Sequence, residues 1–239
     1  MKNKISASRT LIEDLVAASR ILAMHEVLDA YGHVSARSDR LREHFVMSRS
    51  LAPALVTVAD MMELDAKSEP LPGDGRKAFI ERYIHGEIYR SRPEVMAIVH
   101  SHSASVIPFG VTRSKLRPIY HMGAFLWSGT PVFDIRKLKP DNDLLIRDRG
   151  LGQALAGSLG GCNCVLMRGH GMTVVGDGVP EAVFRAIYTE MNARLQLQAT
   201  QLEGPIQFLS EEEGKRSTVS NRGTLERPWE LWKSAVGRK

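Results

Sequence analysis

The feature that most constrains this chain is an apolar run that ends in a pair of histidines. Residues 95–100 read Val-Met-Ala-Ile-Val-His, and Ser101, His102 and Ser103 follow. An apolar run of this length, closed by polar residues, predicts a buried strand. Side chains two residues apart on a strand leave the same face, so His100 and His102 can converge on one ion. By itself such a pair is weak support for a metal site, because it is more often structural or solvated.

A third histidine strengthens the metal interpretation. His170 lies in the string Arg168-Gly-His-Gly171, with one predicted strand before it and another after it. Flanking glycines let the backbone bend sharply and approach a neighbouring group closely. Three neutral imidazoles leave coordination positions open, as in catalytic metal sites. A carboxylate is still needed, and spacing alone does not choose between Glu81 and Glu87 in the preceding helix.

The periodicity of apolar residues predicts a single α/β domain over residues 1–239. We expect the C-terminal segment, residues 210–239, to be partly mobile because it begins with a polar stretch. Trp229 and Trp232 lie beyond that stretch and should dock on this chain or on a neighbouring subunit. Predicted helices cover residues 10–30, 76–89, 147–159 and 181–202, and predicted strands cover residues 33–37, 45–48, 61–64, 95–100, 131–134, 163–167 and 173–175.

The composition fits a globular protein and argues against membrane and nucleic-acid partners. Apolar residues make up 43% of the chain and charged residues 25%, and no apolar stretch nears the roughly 20 residues of a membrane span. The N-terminus shows no secretory pattern, and the only cysteines are Cys162 and Cys164, so we expect a cytoplasmic protein with buried free thiols. The formal charge is +5, but the basic residues are scattered and form no nucleic-acid-binding motif. They fit a small acidic substrate better.

Several short motifs follow one another in a recognisable order. They are Gly32-His-Val-Ser-Ala-Arg37, Glu81-Arg-Tyr-Ile-His85, Arg92-Pro93, Val99-His-Ser-His102 and Arg168-Gly-His-Gly171. Together they resemble the class II aldolase/adducin family, over most of the chain. The resemblance implies an α/β/α three-layer sandwich with a central, largely antiparallel sheet. It also implies a homotetramer with active sites near subunit boundaries.

The same resemblance assigns roles to the histidines and to one glutamate. It implies that His100, His102 and His170 hold a divalent metal ion, with manganese (Mn2+) as the first expectation and zinc (Zn2+) as the alternative. Glu81 then matches the acid/base that can also approach the metal, and Glu87 becomes a surface residue. To act as an acid at neutral pH, Glu81 would need a raised pKa. Burial could raise the pKa of this carboxyl group, whereas a nearby metal ion would lower it. His85, four residues after Glu81, is interpreted as a packing histidine.

This chain departs from the sugar-phosphate aldolases of this family at positions that indicate the class of its substrate. Those enzymes usually carry a Gly-Asn-x-Ser motif and a serine-rich phosphate cradle, whereas this chain has His33 in the first motif and Arg49 in the second. Histidine and arginine suit carboxylates, so a phosphorylated sugar is disfavoured. His121 is either a further pocket residue or structural. The predicted carboxylate-binding residues are His33, Ser48, Arg49 and Ser50.

Three further strings, at residues 27–33, 47–53 and 106–110, resemble a decarboxylase branch of the family. This resemblance implies removal of a carboxylate ortho to a ring hydroxyl of a hydroxyaromatic dicarboxylate. We expect 3-hydroxy-2-methylpyridine-4,5-dicarboxylate, a compound of vitamin B6 degradation, with 3,4-dihydroxyphthalate as the alternative. An aldolase or epimerase acting on an unphosphorylated hydroxy acid or sugar also stays open. A non-catalytic interaction domain is a further alternative, against which the intact histidines and Glu81 argue.

Overall fold

The computed structural model describes residues 5–237, which form one seven-stranded sheet flanked by helices. The strands are β1 His33–Arg37, β2 Phe45–Ser48, β3 Met61–Leu64, β4 Ala97–Ser101, β5 Val132–Phe133, β6 Cys164–Met167 and β7 Gly171–Gly176. The helices are α1 Arg9–Met24, α2 Arg82–Ser91, α3 Ile107–Val111, α4 Arg149–Leu159, α5 Val179–Ala199, α6 Glu211–Arg222 and α7 Glu226–Val236. Short 3-10 segments lie at Pro53–Leu55, Val58–Asp60, His121–Ser128 and Ile135–Lys137.

The sheet puts the strand with the histidine pair at its centre. The strand order is β3-β2-β1-β4-β7-β6-β5, and each neighbouring pair is antiparallel except β5 with β6. On β4, His100 is opposite His33 of β1 on one side and Thr173 of β7 on the other. The predicted largely antiparallel sheet is therefore confirmed.

Two separate apolar clusters show that both faces of the sheet are covered. On one face α1 and α5 pack on the sheet and α7 packs on these two helices, and the contributing side chains include Leu15, Ile21, Ile187, Trp229, Val34 and Val174. On the other face α2 and α4 pack on the sheet, with Ile84, Ile88, Leu155, Ile98 and Val175 among the buried residues. The α/β/α sandwich is thus confirmed. No helix within residues 5–237 is both long and apolar enough to cross a bilayer.

The second helix begins later than its periodicity predicts, and this shift positions a candidate site residue. Helix α2 starts at Arg82, whereas residues 76–89 were predicted to be helical. The Arg76 guanidinium donates to the carbonyl oxygens of Ala59 at 2.6 Å and Met61 at 2.7 Å. These long-range bonds hold the preceding segment against β3 instead of in a helical turn. Glu81 consequently lies at the N-terminal cap of α2, where its side chain is free to turn toward the sheet.

The first helix is also shorter than predicted. It ends at Met24 and not near residue 30, because the chain turns at Glu26, whose φ is +57°. The N–H groups of His25 and Glu26 bond back to Ile21 and Ala23, closing the last turn. The chain then reaches β1 through a short connection that contains Gly32.

The C-terminal segment forms α6 and α7, which pack on their own chain. The Ser210 hydroxyl and the Glu213 carboxylate make a reciprocal capping box at the start of α6. Helix α6 approaches the 3-10 segment His121–Ser128 closely, since a Cβ at Gly214 would lie 2.4 Å from Cβ of Trp127. In α7, Trp229 and Trp232 are buried in the cluster formed with α1 and α5. Docking of this segment on a neighbouring subunit stays a prediction.

Candidate metal centre

The three predicted histidines converge at one end of the central strands. His100 lies near the end of β4, His102 follows that strand, and His170 lies in the turn between β6 and β7. In this turn Gly169 has φ +66°, a conformation that favours glycine. A Cβ at Gly171 would lie 2.0 Å from the Ser101 carbonyl oxygen, so glycine is required there for β7 to approach β4. The glycines on both sides of His170 therefore have the role predicted from the sequence.

Glu81 completes a cluster of four convergent side chains. One potential ligand atom from each of Glu81, His100, His102 and His170 lies within 4.8 Å of the others. The Glu81 Oε2 atom is 3.6 Å from His100 Nε2 and 3.4 Å from His170 Nε2. His102 Nε2 lies 3.0 Å from His170 Nε2. Two nitrogen lone pairs at this distance repel each other unless a proton or a cation lies between them.

Backbone groups orient the ligand atoms of this cluster. His100 Nδ1 is 3.1 Å from the Met172 carbonyl oxygen, and His170 Nδ1 is 2.8 Å from the Leu144 carbonyl oxygen. A carbonyl can only accept, so each Nδ1 carries a hydrogen, and in the neutral ring each Nε2 presents a lone pair to the cluster. The Ile146 N–H donates to Glu81 Oε1 at 2.9 Å, which leaves Oε2 facing the histidines.

The donor set fits a divalent transition-metal ion. His100 Nε2 is buried and has no hydrogen-bond partner among the described residues, although it faces three other ligand atoms. A buried nitrogen lone pair is costly unless something binds it, and a metal ion at the centre would satisfy it. Three imidazoles and one carboxylate accept zinc, manganese, cobalt or iron.

The protonation of the cluster suits metal binding. Burial lowers the pKa of His100, and burial together with His100 and His170 lowers the pKa of His102 to about 4. Both imidazoles are thus neutral at pH 7, as metal ligands must be. Burial would lower the pKa of His170, but the adjacent Glu81 carboxylate raises it. Burial would raise the pKa of Glu81, but the facing imidazoles of His100 and His170 hold it well below its usual range. The metal-free protein therefore does not give Glu81 the raised pKa that an acid at neutral pH would need.

The second glutamate considered from the sequence has a different position. Glu87 was expected at the surface, but it is 1% exposed and lies between α2 and α4. Its carboxylate receives a hydrogen bond from Arg149 at 2.7 Å and another from Arg90. The surface expectation followed from the family resemblance, which assigned the site to Glu81, and it took no account of helix α4, whose Arg149 contacts Glu87. Glu87 joins two helices and is not part of the histidine cluster.

The predicted carboxylate-binding residues lie partly beside the cluster. His33 is buried, and its ring centroid is 5.1 Å from that of His100. Ser48 ends β2, and continuing the β1–β2 register beyond the strand would set Arg49 opposite His33. The Arg49 Nε donates to Asp60 Oδ1 at 2.7 Å, while its two terminal nitrogens have no partner among the described residues. The Ser50 N–H donates to the Lys77 carbonyl oxygen at 2.8 Å.

His121 is not brought to the cluster within one chain. It is exposed at the start of a 3-10 segment, and its carbonyl oxygen accepts a hydrogen bond from Asn221 at 2.7 Å. Within residues 5–237 its ring makes no ring contact with the three cluster histidines. A pocket role for His121 stays a prediction.

Sequence reasoning missed a buried polar network behind His33. His85 is fully buried, as expected of a packing histidine, but it also bonds to His33 and Ser35. Ser35 in turn bonds to the Tyr89 hydroxyl. Two simple spacings could have revealed this network. Glu81, His85 and Tyr89 recur every four residues along one helix face, and His33 and Ser35 share one face of a strand.

The chain is similar to known proteins of one family over most of its length. Residues 13–197 match the family described as "Class II Aldolase and Adducin N-terminal domain". The chain is 39% identical to "Decarboxylase tropJ" of Talaromyces stipitatus over an alignment of 244 positions that covers 92% of each protein. It is 35% identical to a 3,4-dihydroxyphthalate decarboxylase of Terrabacter sp. over an alignment of 214 positions that covers 83% of each protein. An aldolase II superfamily protein of Pseudomonas syringae has the same fold, with a TM-score of 0.80, 20% identity and coverage of 99% of this chain and 95% of that one.

Proposed function

We propose that this chain, which belongs to the class II aldolase and adducin family and is a lyase, is a metal-dependent decarboxylase of a hydroxyaromatic acid. One observation carries the proposal: the Glu81 and histidine cluster is complete and convergent in a chain that is 39% identical to a decarboxylase. A non-catalytic domain would not need four buried or half-buried ligand groups that backbone carbonyls orient toward one point.

The cluster would hold the metal through Nε2 of His100, His102 and His170, with Oε2 of Glu81 able to approach it. When bound there, a divalent ion supplies Lewis-acid stabilisation of negative charge on a ring oxygen. Manganese is our first expectation and zinc the alternative, since the donor set accepts both.

Glu81 is placed to manage the proton that the reaction consumes. Decarboxylation breaks the bond between the ring carbon and its carboxylate, and carbon dioxide leaves. The electron pair stays on the ring carbon and must form a new C–H bond, so one proton has to be delivered there. Glu81 has one oxygen fixed by the Ile146 N–H and the other directed at the site. We assign to Oε2 of Glu81 the role of accepting the proton of the substrate's ring hydroxyl and then delivering a proton to the ring carbon.

His33 and Arg49 are assigned to a second carboxylate of the substrate. His33 lies directly across the β1–β4 pair from His100, so an acid bound at the cluster would be within its reach. Arg49 keeps its terminal N–H groups available while Asp60 holds its Nε. A guanidinium held in this way is suited to bidentate carboxylate recognition. Ser48 and Ser50 flank Arg49 and are the assigned neighbouring donors.

Two substrates remain in the proposal. The sequence motifs favour 3-hydroxy-2-methylpyridine-4,5-dicarboxylate of vitamin B6 degradation, and similarity to two 3,4-dihydroxyphthalate decarboxylases supports the benzene analogue. Both carry a hydroxyl ortho to the departing carboxylate and a second carboxylate.

We also propose a homotetramer with active sites near subunit boundaries, in which His121 is a predicted pocket residue. A cytoplasmic location likewise stays a prediction.

The test is carbon dioxide release from each of the two acids by manganese-loaded protein. We expect release from one acid, and loss of that release in Glu81→Gln. The matched control is Glu87→Gln, which changes a glutamate on the same helix outside the cluster and keeps an acceptor for Arg149. Metal-loaded, folded protein that releases no carbon dioxide from either acid would overturn the decarboxylase proposal. An aldolase or epimerase acting on an unphosphorylated hydroxy acid or sugar would then take its place.

A further inference from the structure

We propose that Tyr89, Ser35 and His85 are positioning residues that fix the hydrogen of His33 on Nε2, so that His33 donates a hydrogen bond to the acidic substrate. This inference rests on the proposed function for the identity of the substrate. The direction of the hydrogen bonds follows from the protein alone.

The four side chains form one continuous buried chain of hydrogen bonds. The Tyr89 hydroxyl is 2.8 Å from Ser35 Oγ, and Ser35 Oγ is 2.6 Å from His85 Nδ1. His85 Nε2 is 2.7 Å from His33 Nδ1. Ser35 and His85 are 0% exposed, and His33 and Tyr89 are each 5% exposed. Water therefore has little access to these side chains, so their donors and acceptors must be satisfied by one another.

The direction of the chain is set at its Tyr89 end. Among the described residues the Tyr89 hydroxyl has one hydrogen-bond partner, Ser35 Oγ. Burial raises the pKa of Tyr89, so the hydroxyl keeps its hydrogen at neutral pH. If Ser35 donated to Tyr89, the Tyr89 hydrogen would be buried without an acceptor, which is unfavourable. Tyr89 must therefore donate to Ser35.

The remaining bonds follow from counting hydrogens. The Ser35 hydroxyl has a single hydrogen and accepts from Tyr89, so it donates to His85 Nδ1. Burial and the neighbouring His100 lower the pKa of His85 to about 3, so His85 is neutral and carries its one hydrogen on Nε2. That N–H donates to His33 Nδ1, and the hydrogen of a neutral His33 is consequently on Nε2.

This arrangement has two consequences at the site. His33 Nε2 has no hydrogen-bond partner among the described residues, and its ring lies between Phe79, at 4.5 Å between centroids, and His100, at 5.1 Å. An N–H there can donate to a carboxylate or another oxygen anion, whereas the opposite tautomer would present a lone pair and repel it. The same N–H prevents His33 from acting as a further metal ligand, although it lies beside three histidines.

The first test measures the tautomers directly and does not depend on catalysis. Metal-free protein labelled with 15N-histidine would be studied by NMR, with His33→Gln and His85→Gln used to assign the two residues. We expect both His33 and His85 to carry hydrogen on Nε2 and none on Nδ1. Hydrogen on Nδ1 of His33 would overturn the inference, whether or not the protein is a decarboxylase.

The second test links the tautomer to the substrate. Ser35→Ala removes the hydroxyl that accepts from Tyr89 and donates to His85 Nδ1. Without this hydroxyl nothing fixes the hydrogen of His85 on Nε2, so we expect a mixture of His33 tautomers. The KM for the acid should rise about tenfold, with a smaller change in kcat and unchanged metal content. Ser19→Ala is the matched control, since Ser19 is a buried serine on α1 that donates to the Leu15 carbonyl.

Two replacements of His85 separate polarity from packing. His85→Gln can still accept from Ser35 and donate to His33, whereas His85→Leu can do neither. We expect Gln to keep the KM near the wild-type value and Leu to raise it. Equal effects of Gln and Leu, or an unchanged KM and tautomer in Ser35→Ala, would overturn the inference.

Discussion

A Cβ atom at Gly171 would lie 2.0 Å from the carbonyl oxygen of Ser101. Strands β4 and β7 thus approach so closely beside His100 and His170 that only glycine fits at this position. The geometry of the candidate metal centre therefore depends on a residue that has no side chain.

Replacing this glycine should damage both stability and metal binding. Gly171→Ala should lower the free energy of unfolding by roughly 1–3 kcal/mol, because the added methyl group must displace backbone. It should also weaken metal affinity, measured by calorimetric titration. The control is Gly157→Ala on α4, where a Cβ would have no neighbour within 4 Å. That variant should leave metal affinity unchanged and stabilise the helix by roughly 0.5–1 kcal/mol. Equal metal affinity in Gly171→Ala and wild type would contradict the proposed role.

Substitution of Glu81 by glutamine should leave the protein folded. The amide oxygen of glutamine can still accept the Ile146 N–H, so the side chain should keep its orientation. Loss of the proton-transferring group should lower kcat by roughly 10²–10⁴-fold. Single-turnover measurements on metal-saturated enzyme would separate this chemical effect from weaker metal binding. An unchanged single-turnover rate would remove Glu81 from the proposed proton transfer.

Glu87 should behave in the opposite way. Glu87→Ala removes the buried carboxylate that joins Arg90 on α2 to Arg149 on α4. We expect the free energy of unfolding to fall by roughly 1–3 kcal/mol, with metal stoichiometry unchanged. Chemical denaturation and metal analysis of the same sample would check both points. Loss of metal in Glu87→Ala would show that the assignment of the two glutamates is incorrect.

The buried His85 should make stability depend on pH. The pKa of His85 is lowered by burial and by His100 from 6.5 to about 3, so at intermediate pH the unfolded chain binds a proton there that the folded chain does not. Stability from this group is complete above pH 6.5 and declines as the pH falls toward 3. Urea unfolding of metal-free protein should show a slope smaller by up to about 1.4 kcal/mol per pH unit in His85→Gln than in wild type. Identical slopes in the two proteins would count against a neutral, buried His85.

The convergence of the three histidines could be predicted from the sequence because its determinants are local. The alternation of His100 and His102 along a strand and the glycines around His170 each have a direct geometric meaning. The choice of Glu81 over Glu87 came from family resemblance, since both glutamates occur on the same predicted helix. The structure gives the physical reason: Glu81 caps α2 and faces the sheet, whereas Glu87 faces α4.

The features that escaped prediction depend on contacts between distant segments. The late start of α2 follows from bonds between Arg76 and the segment around residues 59–61. Local spacing shows which side chains share a face of β1 and which share a face of α2, but the network behind His33 also requires these two faces to meet, and that depends on the tertiary fold. Helices α6 and α7 were not predicted, because α6 is polar and because the position of the two helices depends on the close approach at Gly214 and on the two buried tryptophans of α7.

Metal-dependent decarboxylation can be tested by measuring carbon dioxide release before and after removal of the metal. Protein treated with a chelator would be assayed on 3-hydroxy-2-methylpyridine-4,5-dicarboxylate and on 3,4-dihydroxyphthalate, and again after addition of manganese. We expect release from one acid that disappears with the metal and returns when about one ion is bound per chain. Release that persists in metal-free protein, or no release from either acid by fully loaded protein, would contradict it.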